Sequence, residues 1–267
     1  MLNRLSRPAA LALCALPVIA LLAVAGFAPL PFSVAQPGPT TNVLGEDDGK
    51  AVIKITGAPT RDTRGALRAV TIVATGPDAS VHFGDVLDGW FAENQAIMPR
   101  DSVYPAGNST KEIEAHNKDE MKGSQDAATE AALAYLADEG QDGTDKVRVT
   151  LQLGDVGGPS AGLLFSLGII DMLDGDGSGG ELTGGKSIAG TGTIDDDGKV
   201  GAVGGVSLKV QAADRDGATV FLVPKAECAD AKASAPKSMR LIPVSTLKGA
   251  VTALTDLEKD FGSVPKC

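Results

Sequence analysis

The stretch Gly157-Gly158-Pro159-Ser160-Ala161-Gly162 sets the interpretation of this chain, because it places a serine on a tight turn directly before an apolar run. The proline and the glycines favour a turn, and the run from Ala161 to Leu173 has the length and composition of a buried helix. Ser160 is therefore predicted at a helix N-terminus, near unpaired backbone N–H groups and the positive end of the dipole. Taken alone, the motif fits equally a loop whose serine caps a helix.

A second motif, Gly204-Gly205-Val206-Ser207-Leu208-Lys209, supplies a lysine among apolar neighbours. Burial disfavours an ammonium ion, and about 3 to 5 kcal/mol of such destabilisation would bring the pKa of a lysine from near 10.4 to roughly 7 or 8. The alternative is a lysine whose stem lies on the surface of an amphipathic helix. Together the two motifs predict Ser160 as nucleophile and Lys209 as base, with backbone N–H groups of Gly158 and Ala161 near a developing oxyanion.

The order of segments around these motifs resembles the proteolytic domain of Lon proteases. Ile188-Ala189-Gly190-Thr191-Gly192-Thr193-Ile194 precedes an Asp-rich turn, and a second glycine-rich stretch then leads to Lys209. The resemblance covers residues 150 to about 255. It implies a serine-lysine peptidase in which Ser160 is the nucleophile, Lys209 its base and Thr191 a hydrogen-bonding neighbour of the lysine. It also implies polypeptide substrates and a possible six-membered ring.

The match is closer to the membrane-anchored, extracytoplasmic Lon-like proteins that usually carry a PDZ domain. Segments outside the core carry this similarity, among them Val103-Tyr104-Pro105 and Ser124-Gln125-Asp126-Ala127-Ala128. The chain departs from that pattern because only Asp138 to Leu153 connects an Ala-rich helix to the serine loop, which leaves no space for a PDZ module. Many cytosolic Lon enzymes also have an aspartate where this chain has Gly157.

The predicted fold class is α+β, a single Lon-type proteolytic domain of mixed β-sheets packed by helices and preceded by a transmembrane helix. Five segments are expected: a membrane anchor or signal segment, a linker, the N-terminal part of the domain, the serine-lysine core and a tail, at residues 1–35, 36–50, 51–149, 150–262 and 263–267. Helices are predicted over residues 83–91, 109–137, 161–173, 206–214 and 245–261. Strands are predicted over residues 51–55, 69–74, 147–153, 187–190, 200–203, 219–223 and 240–244.

The N-terminal segment predicts export. Arg4 and Arg7 precede a charge-free stretch, and Ala9 to Ala28 is about long enough to span a bilayer. Positive charge on the N-terminal side places the rest of the chain outside the cytoplasm, with the segment retained as a single-pass anchor. Ser33-Val34-Ala35 is an acceptable cleavage site, so the alternative is a signal peptide and a secreted domain. In an oxidising compartment Cys228 and Cys267 are expected to form a disulfide.

Composition argues against several other functions. A net charge of −10 gives nucleic-acid binding no electrostatic support. Gly180 to Ser187 matches the phosphate-loop pattern of nucleotide hydrolases, but it follows a loop and precedes a glycine-rich strand, the wrong context for that motif. His82 and His116 give little support to a Ser-His-Asp triad. No metal-ligand spacing occurs, so neither a metal nor a cofactor is expected.

These observations leave two classes of function open. About 230 residues follow the N-terminal segment, too few for a protease domain together with an ATPase module, so ATP-independent cleavage of unfolded or flexible exported polypeptides is expected. The competing class is a non-catalytic Lon-like scaffold that binds peptides at the membrane. The combination of Ser160, Lys209 and Thr191 favours the peptidase, because binding has no need of that set.

Overall fold

The computed structural model of the protein describes residues 6–104, 109–153, 157–259 and 264–267. The chain forms two compact units. Unit 1 contains the N-terminal residues up to Gln36 together with Ala74–Thr110, and unit 2 contains Pro37–Val73 and Lys111–Cys267. Each unit is described separately below.

Helices occur in both units and are numbered in chain order. They are α1 (Arg7–Phe27), α2 (Phe83–Phe91), α3 (Arg100–Val103), α4 (Thr110–Asp138), α5 (Gly162–Leu173), α6 (Val206–Arg215), α7 (Cys228–Ser234) and α8 (Leu247–Lys259).

Strands are short except near the N-terminus. They are β1 (Phe32–Asn42), β2 (Glu46–Asp47), β3 (Lys50–Ala51), β4 (Ile53–Thr56), β5 (Ala66–Ala74), β6 (Ala96–Pro99), β7 (Arg148–Leu151), β8 (Ser187–Gly190), β9 (Thr193–Ile194), β10 (Val200–Gly201), β11 (Val220–Pro224) and β12 (Arg240–Val244).

Unit 1 is built from α1, the first part of β1, α2, β6 and α3. The start of β1 pairs antiparallel with β6, so that Phe32 lies opposite Pro99 and Ala35 opposite Ala96. Helix α2 begins after His82 and packs on β6 through Val86 and Gly89, which are buried. An added Cβ at Gly89 would lie 2.5 Å from Ile97 Cδ1, so the absent side chain is what lets α2 approach the strand.

The sheet of unit 2 is organised around parallel strands. Its strand order is β12-β11-β8-β5, followed by the second part of β1. The pairs β12–β11, β11–β8 and β8–β5 are all parallel. Every residue of β11 is buried, as expected of a central strand covered on both faces. The carboxyl ends of β5, β8 and β11 therefore lie along one edge.

The core of unit 2 has two apolar clusters, one on each face of this sheet. Alternate residues of β11 point to opposite faces, with Val220 and Leu222 in the first cluster and Phe221 and Val223 in the second. Helices α4, α5 and α8 supply the first cluster, and α6 and α7 supply the second. Helix α5 is buried from Gly162 to Asp171, which makes it the central helix of its layer.

The mixed α+β class predicted from the sequence is confirmed. The boundaries of α2, β8 and β12 agree with their predictions, and α5 and α4 begin one residue later than predicted. Residues 36–50, predicted as a linker, include the end of β1, the short strand β2 and the first residue of β3. The end of β1 was not predicted as a strand because it contains Pro37, Gly38 and Pro39, and proline and glycine are both depleted in strands.

The transmembrane helix expected near the N-terminus is not supported by the structure. Across the described ranges 6–104, 109–153, 157–259 and 264–267, no helix has both the length and the apolar character that crossing a membrane requires.

Candidate active site

The serine loop lies at the N-terminal end of α5, as the sequence predicts. Ala161 caps the helix and Ser160 occupies the turn before it. Gly158 has a φ of 86°, a backbone conformation that favours glycine. The turn therefore presents Ser160 directly before the capping residue Ala161, at the helix end where backbone N–H groups point outward and the helix dipole is positive.

Helix α4 holds this loop from one side. Ser124 Oγ donates to the carbonyl of Pro159 at 3.0 Å, and the Gly158 N–H donates to the carbonyl of Asn117 at 3.3 Å. Gly158 was predicted as an oxyanion donor, but in this structure its N–H is engaged by Asn117. The contact is long for an N–H···O hydrogen bond, so little is lost when it is exchanged for another acceptor.

The segment after β8 holds the loop from the other side. The Gly192 N–H donates to the carbonyl of Ser160 at 3.0 Å, and Thr191 Oγ1 donates to the same carbonyl at 3.2 Å. The Leu163 N–H in turn donates to the carbonyl of Gly192 at 3.1 Å. Thr191, which is fully buried, therefore ties the end of a central strand to the serine.

Lys209 reaches the same place from the opposite face of the sheet. Helix α6 begins after Gly205, which has a φ of 69° and whose carbonyl accepts from the Lys209 N–H at 3.0 Å. The lysine is only 3% exposed, and its Nζ donates to Thr191 Oγ1 at 3.1 Å. Ser160, Thr191 and Lys209 are thus linked through Thr191, although they come from three separate elements.

Burial changes the proton affinity of this lysine. Loss of hydration is the main cause, and it lowers the pKa of Lys209 from 10.5 to about 8. The carboxylate of Glu227 opposes the change. Glu227 accepts from the Val203 N–H at 3.1 Å, and burial raises the pKa of its own carboxyl. A substantial neutral fraction of Lys209 is therefore present near neutral pH, as a general base requires.

Comparison with protein families agrees with this geometry. The family model described as Lon protease (S16) C-terminal proteolytic domain matches residues 94–255, more than half of the chain. The chain belongs to this family. It is accordingly a serine peptidase domain of the Lon type, a hydrolase that acts on polypeptides. Ser160, Thr191, Lys209 and Glu227 all lie inside the matched range, whereas α1 and α2 precede it.

Two glycines of the Lon-type serine loop are required by close contacts. An added Cβ at Gly162 would lie 2.9 Å from both Ser124 Oγ and Ile194 Cγ2. At Gly157 an added Cβ would lie 2.7 Å from Asn117 Cβ. A side chain at position 157 would therefore enter space that Asn117 occupies. Asp155, the nearest acidic residue, lies outside the described residues.

A cavity of about 370 Å³ lies against the helix that holds the serine loop. It is lined by residues of α4, by the β2–β3 hairpin and by the segment that follows β7. These residues are Asp47, Asp48, Lys50, Lys118, Met121, Lys122, Gln125, Gln152 and Leu153. Its walls carry both charge signs and a methionine.

The other sequence candidates lie elsewhere in the Lon domain or have other partners. Gly180 to Ser187 leads into strand β8 rather than a helix, so it lacks the structure of a phosphate loop. His82 lies 3.6 Å from Asp85, and His116 lies 3.4 Å from Glu120. Within the described ranges, no group of three or more His, Cys, Asp or Glu residues is arranged to hold a metal ion.

The sulfur atoms of Cys228 and Cys267 lie 2.04 Å apart, a disulfide distance. The bond joins the first residue of α7 to the last residue of the chain. Since Cys228 directly follows Glu227, the carboxylate that acts on Lys209 lies beside a covalently tethered position.

Sequence reasoning missed three residues that support the site. Asn117 accepts from Gly158 through its backbone carbonyl, and its side chain lies against Gly157, but no motif marks it in the sequence. Glu227 lies eighteen positions after Lys209 with no motif around it. Ser124 belongs to a segment already noted for its resemblance to Lon-like proteins, so only its contact with the serine loop was lacking.

Proposed function

We propose that this Lon-type domain is an ATP-independent serine endopeptidase that uses Ser160 and Lys209 to cleave unfolded or flexible polypeptides outside the cytoplasm. One observation carries the proposal. The buried amine of Lys209 donates to Thr191, whose hydroxyl donates to the carbonyl of Ser160. Burying an ammonium ion destabilises the fold, so the burial of Lys209 near the serine loop favours a functional role over a purely structural one.

In the first step Ser160 Oγ attacks the scissile carbonyl and neutral Lys209 accepts the hydroxyl proton. A C–O bond forms, and the carbonyl oxygen gains a negative charge. Backbone N–H groups at the start of α5, with the positive end of its dipole, stabilise that charge. Gly158 contributes once its N–H leaves Asn117, and Ala161 lies at the helix cap.

In the second step the tetrahedral intermediate collapses, the C–N bond breaks, and Lys209 returns the proton to the leaving amine. The product is an ester between the substrate acyl group and Ser160. Water then attacks this ester while Lys209 accepts its proton, and Ser160 regains the proton when the acid product leaves. Thr191 keeps the amine in place throughout, and acts as a positioning residue.

Independence from nucleotide is part of the proposal. The segment that matches a phosphate loop precedes β8 and lacks the following helix that phosphate binding uses. Substrates that need no unfolding fit this condition, namely unfolded or flexible polypeptides.

The proposed location rests on two features. The N-terminal segment has arginines followed by a charge-free apolar stretch, a pattern typical of exported proteins. Cys228 and Cys267 lie at disulfide distance, and disulfides persist in oxidising compartments. We infer that the domain is exported and attached to the membrane through this segment, or released where cleavage follows Ala35.

Family membership supports one further part of the proposal, assembly into a ring of six copies. Light scattering of the purified protein tests it, and a monomer at working concentration would reject the ring.

Cleavage of a fluorescently labelled unfolded protein, followed without ATP, tests the function. The wild type is compared with Ser160→Ala and Lys209→Ala. We expect cleavage by the wild type and its loss in both variants, with unchanged circular dichroism. Addition of ATP is expected to leave the rate unchanged.

Exposed residues of one turn provide matched controls, since Ser238→Ala and Lys237→Ala make the same substitutions away from the site. Both are expected to cleave at the wild-type rate. A folded wild type without cleavage would favour the scaffold hypothesis, and equal cleavage by all variants would locate the activity elsewhere.

A further inference from the structure

Exposed apolar side chains are concentrated in unit 1. Among the described residues, nine large apolar side chains are exposed on α1 and four on α2, and Val73 in unit 2 is the other one. Trp90 and Phe91 are 76% and 84% exposed. Large apolar patches on a protein surface mark sites that bind another apolar phase or molecule.

Helix α2 has three distinct faces. Val86 and Gly89 are buried against β6. Phe83, Leu87, Trp90 and Phe91 follow the spacing i, i+4, i+7 and i+8, so they share a second, exposed face. Asp85 and Asp88 lie on a third face, away from the apolar one. The helix is thus anchored on one side, apolar on another and acidic on the third.

Helix α1 contacts α2 and differs from it in having exposed apolar residues on all sides. No charged residue occurs between Pro8 and Phe27. A single protein partner usually contacts one face of a surface helix, whereas a lipid phase can contact apolar side chains on several faces. A helix that is apolar all round and is not buried in a protein core fits a lipid environment. The apolar face of α2 lies on a helix that contacts α1.

We propose that α2 is a lipid-interface helix, in which Phe83, Leu87, Trp90 and Phe91 enter the headgroup region of a membrane. The proposal rests on the membrane attachment proposed above and is independent of the peptidase activity. Tryptophan and phenylalanine suit this role, because aromatic side chains concentrate at the boundary between headgroups and acyl chains. Asp85 and Asp88 remain on the water side. Helix α2 would then fix the orientation of unit 1 at the membrane surface.

Trp90 is the single tryptophan of the chain, so its fluorescence reports on α2 directly. The full chain is mixed with vesicles of phosphatidylcholine and phosphatidylglycerol, and flotation with the vesicles measures attachment. We expect a blue shift of Trp90 emission, severalfold less quenching by aqueous iodide, and strong quenching by phosphatidylcholine brominated near the headgroup. Trp90→Phe gives the background signal.

Leu87→Ser with Phe91→Ser is expected to reduce the blue shift, while Val73→Ser, an exposed apolar residue of unit 2, leaves it unchanged. Flotation with Trp90 still open to iodide would overturn the proposal for α2 and leave attachment standing. A blue shift without vesicles that grows with protein concentration would instead assign the face to a second copy. A shift on adding unfolded casein alone would assign it to polypeptide.

Discussion

The two ends of helix α5 each lie beside a buried ionisable side chain, yet the two side chains are held in different ways. At the N-terminal end the amine of Lys209 is hydrogen-bonded to Thr191, and through it to the serine loop. Near the C-terminal end Asp171 Oδ1 accepts from the Leu182 N–H at 2.6 Å. Among the residues that the structure describes, Asp171 Oδ2 has no hydrogen-bond partner.

Burial brings both groups toward neutrality. It lowers the pKa of Lys209 to about 8 and raises that of Asp171 to about 6. A strongly shifted pKa is therefore not sufficient to identify a catalytic group, because structural groups are shifted in the same way. The difference lies in the neighbours. Lys209 Nζ contacts Thr191 Oγ1, which contacts the serine loop. Asp171 instead accepts from Leu182 in the segment between α5 and β8, which Arg61 also contacts through the carbonyl of Gly179 at 2.8 Å.

Replacement of Lys209 gives the largest expected effect. Lys209→Met is expected to reduce kcat/KM by about 10²- to 10⁴-fold, the usual contribution of a general base. The stability of the Lys209→Met variant should instead increase. The folded pKa of Lys209, about 8, lies below its ordinary 10.5, so the buried ammonium destabilises the fold below pH 8, by an amount on the order of 3 kcal/mol.

Lys209→Met should therefore raise the free energy of unfolding at pH 7, measured with urea, and the gain should disappear as pH approaches 10.5. Lys209→Arg keeps the charge and cannot lose its proton, so it should be both inactive and less stable. A Met variant that cleaved normally would remove the distinction between the two ends of α5.

Replacement of Asp171 should affect stability rather than catalysis. The folded pKa of its carboxyl is raised from 3.8 to about 6, so the folded state binds the proton more tightly. Wild-type stability should fall as pH rises from 4 to 6, by about 3 kcal/mol from this group. Asp171→Asn keeps an acceptor for the Leu182 N–H and should lack this slope.

The slope is measured as the difference between wild type and Asp171→Asn in urea titrations across that pH range. The variant should cleave at the wild-type rate at pH 7. A loss of kcat/KM comparable with that of the Lys209 variants would show that both ends of α5 serve catalysis.

A methyl group at position 157 sharpens the comparison, because it should displace only the serine-loop end of α5. Gly157→Ala places a Cβ against Asn117 and should displace the serine loop, lowering kcat/KM about tenfold. Gly123→Ala is the control, because it lies inside α4 with open space around it and should stabilise the protein by about 1 kcal/mol. Equal kcat/KM for both variants would mean that the loop tolerates displacement.

The smallest effect concerns the neighbour of Lys209. The Glu227 carboxylate raises the pKa of Lys209, so Glu227→Gln should lower it further. In wild type kcat/KM should rise with pH around the Lys209 pKa of about 8, and the variant should show the same rise at lower pH. Glu139→Gln, whose partner is Lys248, is the control. If the pH dependence of kcat/KM in Glu227→Gln matched that of wild type, Glu227 would not influence the pKa of Lys209.

The sequence was most informative where residue type and local pattern coincide. Ser160 and Lys209 belong to motifs with fixed spacing, and the apolar run from Ala161 predicted α5 to within one residue. The contacts that assemble the site were beyond its reach. Asn117 contributes a backbone carbonyl, and Glu227 reaches the lysine only because α6 and α7 pack together. Tertiary packing brings these groups together, and local sequence preferences do not predict such packing.

Two further differences have simpler causes. Strand β1 was not predicted: its first residues fell in the segment 1–35 predicted as an anchor or signal, and its end, with Pro37 and Pro39, fell in the predicted linker, because proline is rare in strands. Asp171 had a detectable signal, since it interrupts the apolar run of α5 with a carboxylate. A charged residue within a buried helix deserves a search for its partner, even when no motif contains it.

The two hydrogen bonds of Thr191 run in one direction, from the lysine amine to the threonine and from the threonine to Ser160. A hydroxyl has one hydrogen, and that of Thr191 is used on the carbonyl of Ser160. The contact with Lys209 must then have the amine as donor and the threonine lone pair as acceptor. A neutral amine held by one N–H keeps its own lone pair outside that contact, free for an incoming proton. Serine at position 191 would preserve this direction of donation, whereas valine would leave the amine without orientation.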